Sequence, residues 1–286
     1  MIYLILSIFC STIILVVFRM FTRFEISTFQ AIVFNYLVAF SVGFGLYGRD
    51  WKDTYLQQGS WPVFALIIGI LFITLFLIMG KSAQENGIGI TSVTVKMSLA
   101  IPVALAIYIY SEAIYLAKVM GVLLALLGVF LITFQKKSDK KPRGGNYWFL
   151  IVLFFGSGAL DTLLNYVEKK ALGDLSPALF SAIGFGIAGS IGLIVLLVGL
   201  VVKKQQFHWK NILAGIVLGV PNYFSIYFLI MAIREPMDDS ITYALNNVGI
   251  VMASFALGIV FFKESITTLK IVGGAVAISA ILLLMV

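Results

Sequence analysis

Long apolar segments recur along the whole chain, and each is about as long as one membrane-spanning helix, roughly 20 residues. Hydrophobic residues make up 61% of the chain and charged residues 12%, about half the charge of an ordinary soluble domain. The sequence therefore predicts an all-α membrane protein with ten transmembrane helices. The ten runs are Ile2–Phe18, Phe29–Tyr47, Trp61–Gly80, Ile88–Ile109, Ile114–Phe134, Tyr147–Val167, Pro177–Val202, Ile212–Ala232, Ser240–Phe262 and Leu269–Val286.

One connection between runs differs from the others because it is strongly basic and contains proline and glycine. It occupies residues 135–146, with five runs before it and five after it. Such a composition is typical of a solvated linker. We therefore expect a first five-helix unit over residues 1–134, the linker over 135–146, and a second five-helix unit over 147–286.

The two halves resemble each other in sequence. The segment Phe76–Met79 recurs as Phe228–Met231, and charged residues repeat at the same offset of 152 residues. A register held over about forty residues indicates an internal repeat. Because each half has an odd number of runs, the second copy must enter the membrane upside down, which is a common plan of secondary transporters. The other matched pairs are Phe72 with Phe224, Glu112 with Glu264, Lys118 with Lys270, and Gly121 with Gly273.

Lys96 lies near the middle of the run Ile88–Ile109. A charge at that depth costs about 2.5 kcal/mol or more unless it faces a partner or water. We expect Lys96 to be a functional cation in a polar interior, and the sequence indicates no second buried cation. The alternative is a structural lysine that binds backbone carbonyls freed by Pro102.

The other polar residues inside the runs are few and cluster by position. Asn246 and Asn247 lie beside the repeat-mate of Lys96, so the Asn pair and Lys96 are expected to face each other between the halves. Asp161 would bind a substrate amine or carry a coupling proton. Alternatives are a direct ion pair between Asp161 and Lys96, and interhelical hydrogen bonds worth about 0.6 kcal/mol for the neutral residues. The candidate substrate-binding residues are Lys96, Asp161, Asn246, Asn247, Asn222, Tyr223, Tyr243 and Ser92.

Other kinds of chemistry find little support in the sequence. Cys10 and His208 are each the only residue of their type, so no disulfide framework, metal cluster or catalytic group is predicted. No glycine-rich nucleotide loop is present, and we expect no cofactor and no enzyme activity.

The net charge of +7 indicates membrane orientation and contact with anionic lipid, and no nucleic-acid partner is expected. Gly121 and Gly128 are interpreted as helix contact points.

The whole chain resembles the drug/metabolite transporter superfamily, EamA type. The resemblance rests on ten runs, a five-plus-five repeat, the basic central linker, and a glutamate between the last two runs of each half, in Ser111-Glu112 and Lys263-Glu264. The family often has Gly-Glu there. The resemblance implies a multi-pass cell (inner) membrane protein, monomeric or homodimeric, with cytoplasmic termini. In contrast, the excess of Lys and Arg in loops after odd-numbered runs predicts termini outside the cell.

We expect a secondary transporter that moves a small polar metabolite by alternating access between the repeats. An amino acid or similar zwitterion is favoured, with Lys96 binding its carboxylate and Asp161 its amine. A coupling proton or ion is the expected driving partner, since no nucleotide motif is present. The alternatives are a multidrug or cation exporter of the same superfamily, and a channel or a non-transporting membrane scaffold.

Overall fold

A computed structural model describes the chain apart from residues 49–59, 86–87, 111–113, 134–146, 174, 203–205, 263–267 and 285–286. In that part of the chain every regular element is a helix, which agrees with the predicted all-α class. The linker at 135–146, Glu112 and Glu264 lie outside the described residues. The helices are α1 (Ile2–Arg23), α2 (Thr28–Tyr47), α3 (Trp61–Glu85), α4 (Ile88–Met97), α5 (Ala100–Tyr110), α6 (Leu116–Thr133), α7 (Tyr147–Tyr166), α8 (Pro177–Val202), α9 (Trp209–Ile233), α10 (Asp239–Phe262) and α11 (Thr268–Leu284).

The run that carries Lys96 is divided into two helices, α4 and α5, and the prediction of one continuous helix is wrong at Ser98 and Leu99. Pro102 has no N–H to donate to the carbonyl of Ser98. That carbonyl instead accepts a hydrogen bond from the backbone N–H of Ile101 at 2.9 Å. The Ser98 hydroxyl donates to the carbonyl of Val95 at 2.6 Å. Each remaining run coincides with one helix.

Five helical segments are long and apolar enough to cross a membrane. Large apolar side chains cover the outside of the bundle; for example, Val63 is 62% exposed and Val201 is 78% exposed. A surface of this kind suits lipid better than water. The five segments are Thr28–Tyr47, Trp61–Met79, Tyr147–Ala171, Pro177–Val202 and Trp209–Ile233.

Close helix pairs hold the bundle together. Helix α2 packs against both α8 and α9, and α6 packs against α11. A Cβ at Gly128 would lie 2.9 Å from the backbone nitrogen of Ala277, and one at Gly121 would lie 2.7 Å from Leu284. Because these glycines let α6 and α11 approach closely, the prediction that they are helix contact points is confirmed.

The buried apolar residues form two main clusters. One contains Tyr36, Phe72 and Tyr223 and lies between α2, α3, α8 and α9. The other contains Leu99 and Tyr243 and joins α5, α6, α10 and α11. The second cluster includes residues next to the break between α4 and α5, and so helps to position Lys96.

Candidate functional site

Lys96 contacts the second half of the chain through Asn247. Its ammonium Nζ donates a hydrogen bond to Oδ1 of Asn247 at 3.3 Å, joining α4 to α10 across 151 residues of sequence. Lys96 is half-buried. The predicted approach of Lys96 and the Asn pair is therefore confirmed for Asn247. Among the described residues no hydrogen bond joins Lys96 to a backbone carbonyl, so the alternative role of binding freed carbonyls is not seen.

The two adjacent asparagines have different surroundings. Nδ2 of Asn247 donates to the carbonyl of Tyr243 at 3.1 Å, one turn earlier in α10, which fixes the orientation of the amide. Asn246 is 5% exposed, and its Oδ1 has no hydrogen-bond partner in the described structure. Leaving such an acceptor unpaired costs about 1–3 kcal/mol. Asn246 is thus a buried acceptor whose bonding capacity is unused.

Asp161 on α7 belongs to the same group of residues. The hydroxyl of Tyr243 donates to the backbone carbonyl of Asp161 at 2.8 Å. The Asp161 carboxylate is close enough to the Lys96 ammonium for the two charges to interact. They form no ion pair within 4 Å, whereas such pairs occur elsewhere in the described chain. The alternative of a direct Lys96–Asp161 ion pair is therefore not seen.

Polar residues on α7 and α10 continue from this site toward one end of the bundle. Nδ2 of Asn165 donates to Oδ2 of Asp239 at 2.6 Å, and Nζ of Lys169 lies 2.7 Å from the same oxygen. Lys169 belongs to a π-helical turn, Val167–Ala171, that follows α7. Successive members are four residues apart, so the series rises about 12 Å along each helix. We call this series the polar ladder: Asp161, Asn165 and Lys169 on one side, and Asp239, Tyr243 and Asn247 on the other.

Two predicted site residues, Tyr223 and Asn222, make no described contact with this group. Tyr223 is fully buried, and its hydroxyl donates to the carbonyl of Ala178 at 3.1 Å, between α9 and α8. Asn222 is 7% exposed, and its Nδ2 has no partner in the described part of the protein. No described contact links either residue to Lys96 or Asp161. The side chain of Ser92 lies outside what the structure describes.

Charged residues gather where the polar ladder reaches the end of the bundle. Nζ of Lys118 on α6 lies 2.6 Å from Oδ2 of Asp238, and Nε of Arg234 is paired with Oε1 of Glu168. A cavity of about 450 Å³ is lined in part by these charged side chains. We call this group the end cluster: Lys118, Glu168, Lys169, Arg234, Asp238 and Asp239.

The sequence analysis missed the end cluster. It indicated one buried cation, and this is wrong because Lys118 has an exposed fraction of 0%. The available signal was the pair Asp238-Asp239, two acids directly before an apolar run. Acids at a helix N-terminus are favourable, but a buried carboxylate also requires a cation nearby. Lys118 was recognised only as a member of the repeat.

Comparisons with known proteins give a relative and a structural neighbour. A protein of Haemophilus influenzae described as uncharacterized is 31% identical over 285 residues, which cover 97% of this chain and 95% of that protein. The chain belongs to the family of this Haemophilus influenzae protein. No family model matches the sequence.

A solved crystal structure supports the fold at the level of the whole chain. It matches with a TM-score of 0.73 at 12% identity and covers 99% of this chain and 94% of its own. At that identity the likeness concerns the fold alone. The family assignment and the fold thus extend over nearly all of the chain.

Among the described residues, no group of three His, Cys, Asp or Glu side chains could hold a metal ion.

Proposed function

We propose that this protein is a secondary transporter of a small polar metabolite, built from ten membrane spans in two inverted repeats. The observation that carries the proposal is the contact of Lys96 with Asn247 beside Asp161. It places a cation from the first half and an acid from the second half in one group without a direct ion pair. Secondary transporters with inverted repeats bind substrate between the repeats.

The pattern of helix packing supports the repeat. In an inverted repeat, each contact between halves has a counterpart in which the halves are exchanged. Helix α1 packs against α9, and its counterpart is the packing of α7 against α3. Helix α2 packs against α9, and its counterpart is the packing of α8 against α3. The pairs α2–α8 and α6–α11 are their own counterparts.

The break after Lys96 supports a site at mid-depth. Helices α4 and α5 have 10 and 11 residues, so each is about 15 Å long. Each therefore covers about half of a hydrocarbon core of about 30 Å. Discontinuous helices commonly form the substrate and ion sites of transporters. Lys96 lies in the last turn of α4, next to the discontinuity.

The charges favour a zwitterion, such as an amino acid, as the substrate. Lys96 would bind the carboxylate, Asp161 the amine, and Asn246 a neutral polar group. A lipophilic cation fits less well because Lys96 would repel it in a medium of low dielectric constant. A phosphorylated sugar fits less well because the second buried cation, Lys118, is already paired with Asp238.

Substrate binding would change the contact between the halves. Lys96 now donates to a neutral amide, and hydrogen bonds to a carboxylate are about twice as strong as those to a neutral acceptor. A substrate carboxylate would therefore compete with Asn247 for the ammonium. Release of Asn247 would free α10 from α4 and permit one half to move relative to the other. In this scheme the substrate itself biases the conformational equilibrium.

Reconstitution into proteoliposomes tests the proposal. We expect saturable uptake of at least one amino acid from a labelled set, and counterflow when unlabelled amino acid is loaded inside. Lys96→Ala should abolish uptake, whereas Lys210→Ala, at an exposed lysine bonded to the Phe24 carbonyl, should not. A channel would give uptake without counterflow, and a scaffold would give neither. A cation exporter would move lipophilic cations and keep that activity in Lys96→Ala.

A further inference from the structure

The end cluster occupies the end of the polar ladder that leads to Asp161 and Lys96. Its two acids at the start of α10, Asp238 and Asp239, bind cations on two other elements. Asp238 pairs with Lys118 on α6, and Asp239 pairs with Lys169 in the π-helical turn. Arg234, at the end of α9, pairs with Glu168 in the same turn. The α9–α10 connection thus lies across this end of the bundle and is held on both sides by ion pairs.

Side chains rather than close backbone packing join α7 to α10. These two helices are not among the closely packed pairs of the described chain. They meet through Tyr243 with the Asp161 carbonyl, and through Asn165 and Lys169 with Asp239. In contrast, glycines bring α6 and α11 into backbone contact. A seam held by a few polar side chains can open without disrupting an apolar core.

The strength of these contacts is suited to a reversible closure. Lys169 is 33% exposed and Asp238 is 38% exposed, so water reaches one member of each pair and screens part of the attraction. Their partners, Asp239 and Lys118, are each 0% exposed. A buried charge that loses its partner is strongly unfavourable unless water reaches it. The pairs should therefore separate only when this end of the bundle fills with water.

The internal repeat carries over only part of the charge of the end cluster. The offset of 152 residues matches Arg234, Asp238 and Asp239 with Ser82, Asn86 and Gly87. None of these three first-half residues is charged, although Lys118 is matched by Lys270. The repeat therefore does not reproduce the acids and the arginine that lie around the α9–α10 connection.

We propose that the end cluster is a gate that closes one end of the path to Lys96 and Asp161. This inference rests on the proposed transport function, because it requires a path that opens alternately at two ends. Lys118 and Asp238 join the first half to the second half across the gate, and Lys169 and Asp239 close the seam between α7 and α10. Weakening either pair should favour the state that is open at this end.

Cysteine accessibility tests the gate without any knowledge of the substrate. In a Cys10→Ser background, which removes the only natural cysteine, Asp161→Cys provides a reporter at the inner end of the polar ladder. We would measure its labelling rate with a membrane-impermeant maleimide added to sealed vesicles of each orientation. The reporter should react slowly from the gate side in the otherwise unchanged protein.

Adding Lys169→Met should raise the labelling rate from the gate side about fivefold, the factor for an ion pair worth about 1 kcal/mol. Lys170→Met is the matched control, since Lys170 is the next residue of the same turn and makes no ion pair in the described chain. Lys118→Asp should also raise the rate, and adding Asp238→Lys should restore slow labelling. That rescue separates loss of the gate from misfolding.

Equal labelling rates in Lys169→Met, Lys170→Met and the parent protein would overturn the gate. Fast labelling of the parent from the gate side would overturn it as well. If the natural protein, which keeps Asp161, shows saturable uptake, either result would remove only the gate. The transport proposal would then stand. If the gate variants expose the reporter as expected but no solute is carried, the closure stands and the transport proposal fails.

Discussion

Tyr243 on α10 donates its hydroxyl to the backbone carbonyl of Asp161 on α7, at 2.8 Å. Its own carbonyl accepts a hydrogen bond from Asn247, and Asn247 accepts one from Lys96. These hydrogen bonds therefore link the backbone of Asp161 in the second half with the ammonium of Lys96 in the first half, through Tyr243 and Asn247. Because Tyr243 and Asn247 each take part in two of these bonds, a displacement of either residue should affect both of its contacts.

Tyr243→Phe should change function more than stability. It removes the bond to the Asp161 carbonyl, and an interhelical hydrogen bond of this kind is worth about 0.6 kcal/mol. Tyr36→Phe is the control, because its hydroxyl donates to the Phe72 carbonyl within the first half. Both variants should have similar melting temperatures in detergent, but only Tyr243→Phe should change the uptake rate. Equal uptake rates in the two variants would argue against a role of Tyr243 in coupling the halves.

Lys96→Ala should abolish substrate binding while the protein still folds. The ammonium is the only group proposed to bind the substrate carboxylate, so its loss should lower affinity at least a hundredfold, about 2.7 kcal/mol. Binding can be measured by the ligand-dependent rise in melting temperature. Lys96→Arg keeps the charge and should retain part of the effect. A normal rise in Lys96→Ala would place the site elsewhere, and failure of that variant to fold would assign Lys96 a structural role.

Asp161→Asn should lose recognition of the substrate amine. We expect binding of the zwitterion to weaken, while an analogue without the amine is affected less. Thr162→Val is the neighbouring control, since the Thr162 hydroxyl donates to the Gly158 carbonyl of its own helix. Exchange that persists while accumulation driven by a proton gradient is lost would instead assign Asp161 to proton coupling. An unchanged affinity ratio between the two ligands would contradict the amine contact.

Gly128→Ala should destabilise the α6–α11 pair. The added Cβ would lie 2.9 Å from the nitrogen of Ala277, so the helices must separate, at a cost of about 1–3 kcal/mol. Gly274→Ala on α11 is the control, because a Cβ there meets no atom within 4 Å. Thermal unfolding in detergent should show a lower melting temperature for Gly128→Ala alone. Equal melting temperatures would mean that the pair can separate without cost.

The fold was largely predictable because apolar length and helix formation are local properties. Every apolar run is helical, with one run divided into two helices, and the glycines on α6 are contact points, since both properties depend on a few neighbouring residues. The break at Ser98 was missed although Pro102 is visible in the sequence. Many membrane helices tolerate proline because neighbouring groups satisfy the freed carbonyl, so a proline alone does not decide between a kink and a break.

The site was predictable only where the repeat related two residues. The approach of Lys96 to Asn247 follows from their matched places in the two halves. Tyr223 was predicted at the site because Pro221, close by, frees a backbone carbonyl, but its hydroxyl donates to a carbonyl of α8. The rotation of a helix about its axis depends on packing, and an almost uniformly apolar helix carries little sequence signal for that rotation. The burial of Lys118 was missed because it depends on a partner in another helix pair. That partner, Asp238, comes 120 residues later in the sequence.

The separation of Lys96 from Asn247 in sequence also has a consequence for biosynthesis. In the proposed ten-span arrangement, neither α4 nor α5 alone is long enough to cross a bilayer, so the two would enter the membrane as one segment with Lys96 inside. Asn247 is made 151 residues later, which takes roughly 8 to 30 s at about 5–20 residues per second. During that interval the lysine has no Asn247 to bind. Under that arrangement the nascent first half would carry an uncompensated charge until α10 is made, and a ribosome that stalls before α10 would leave a product marked by that charge.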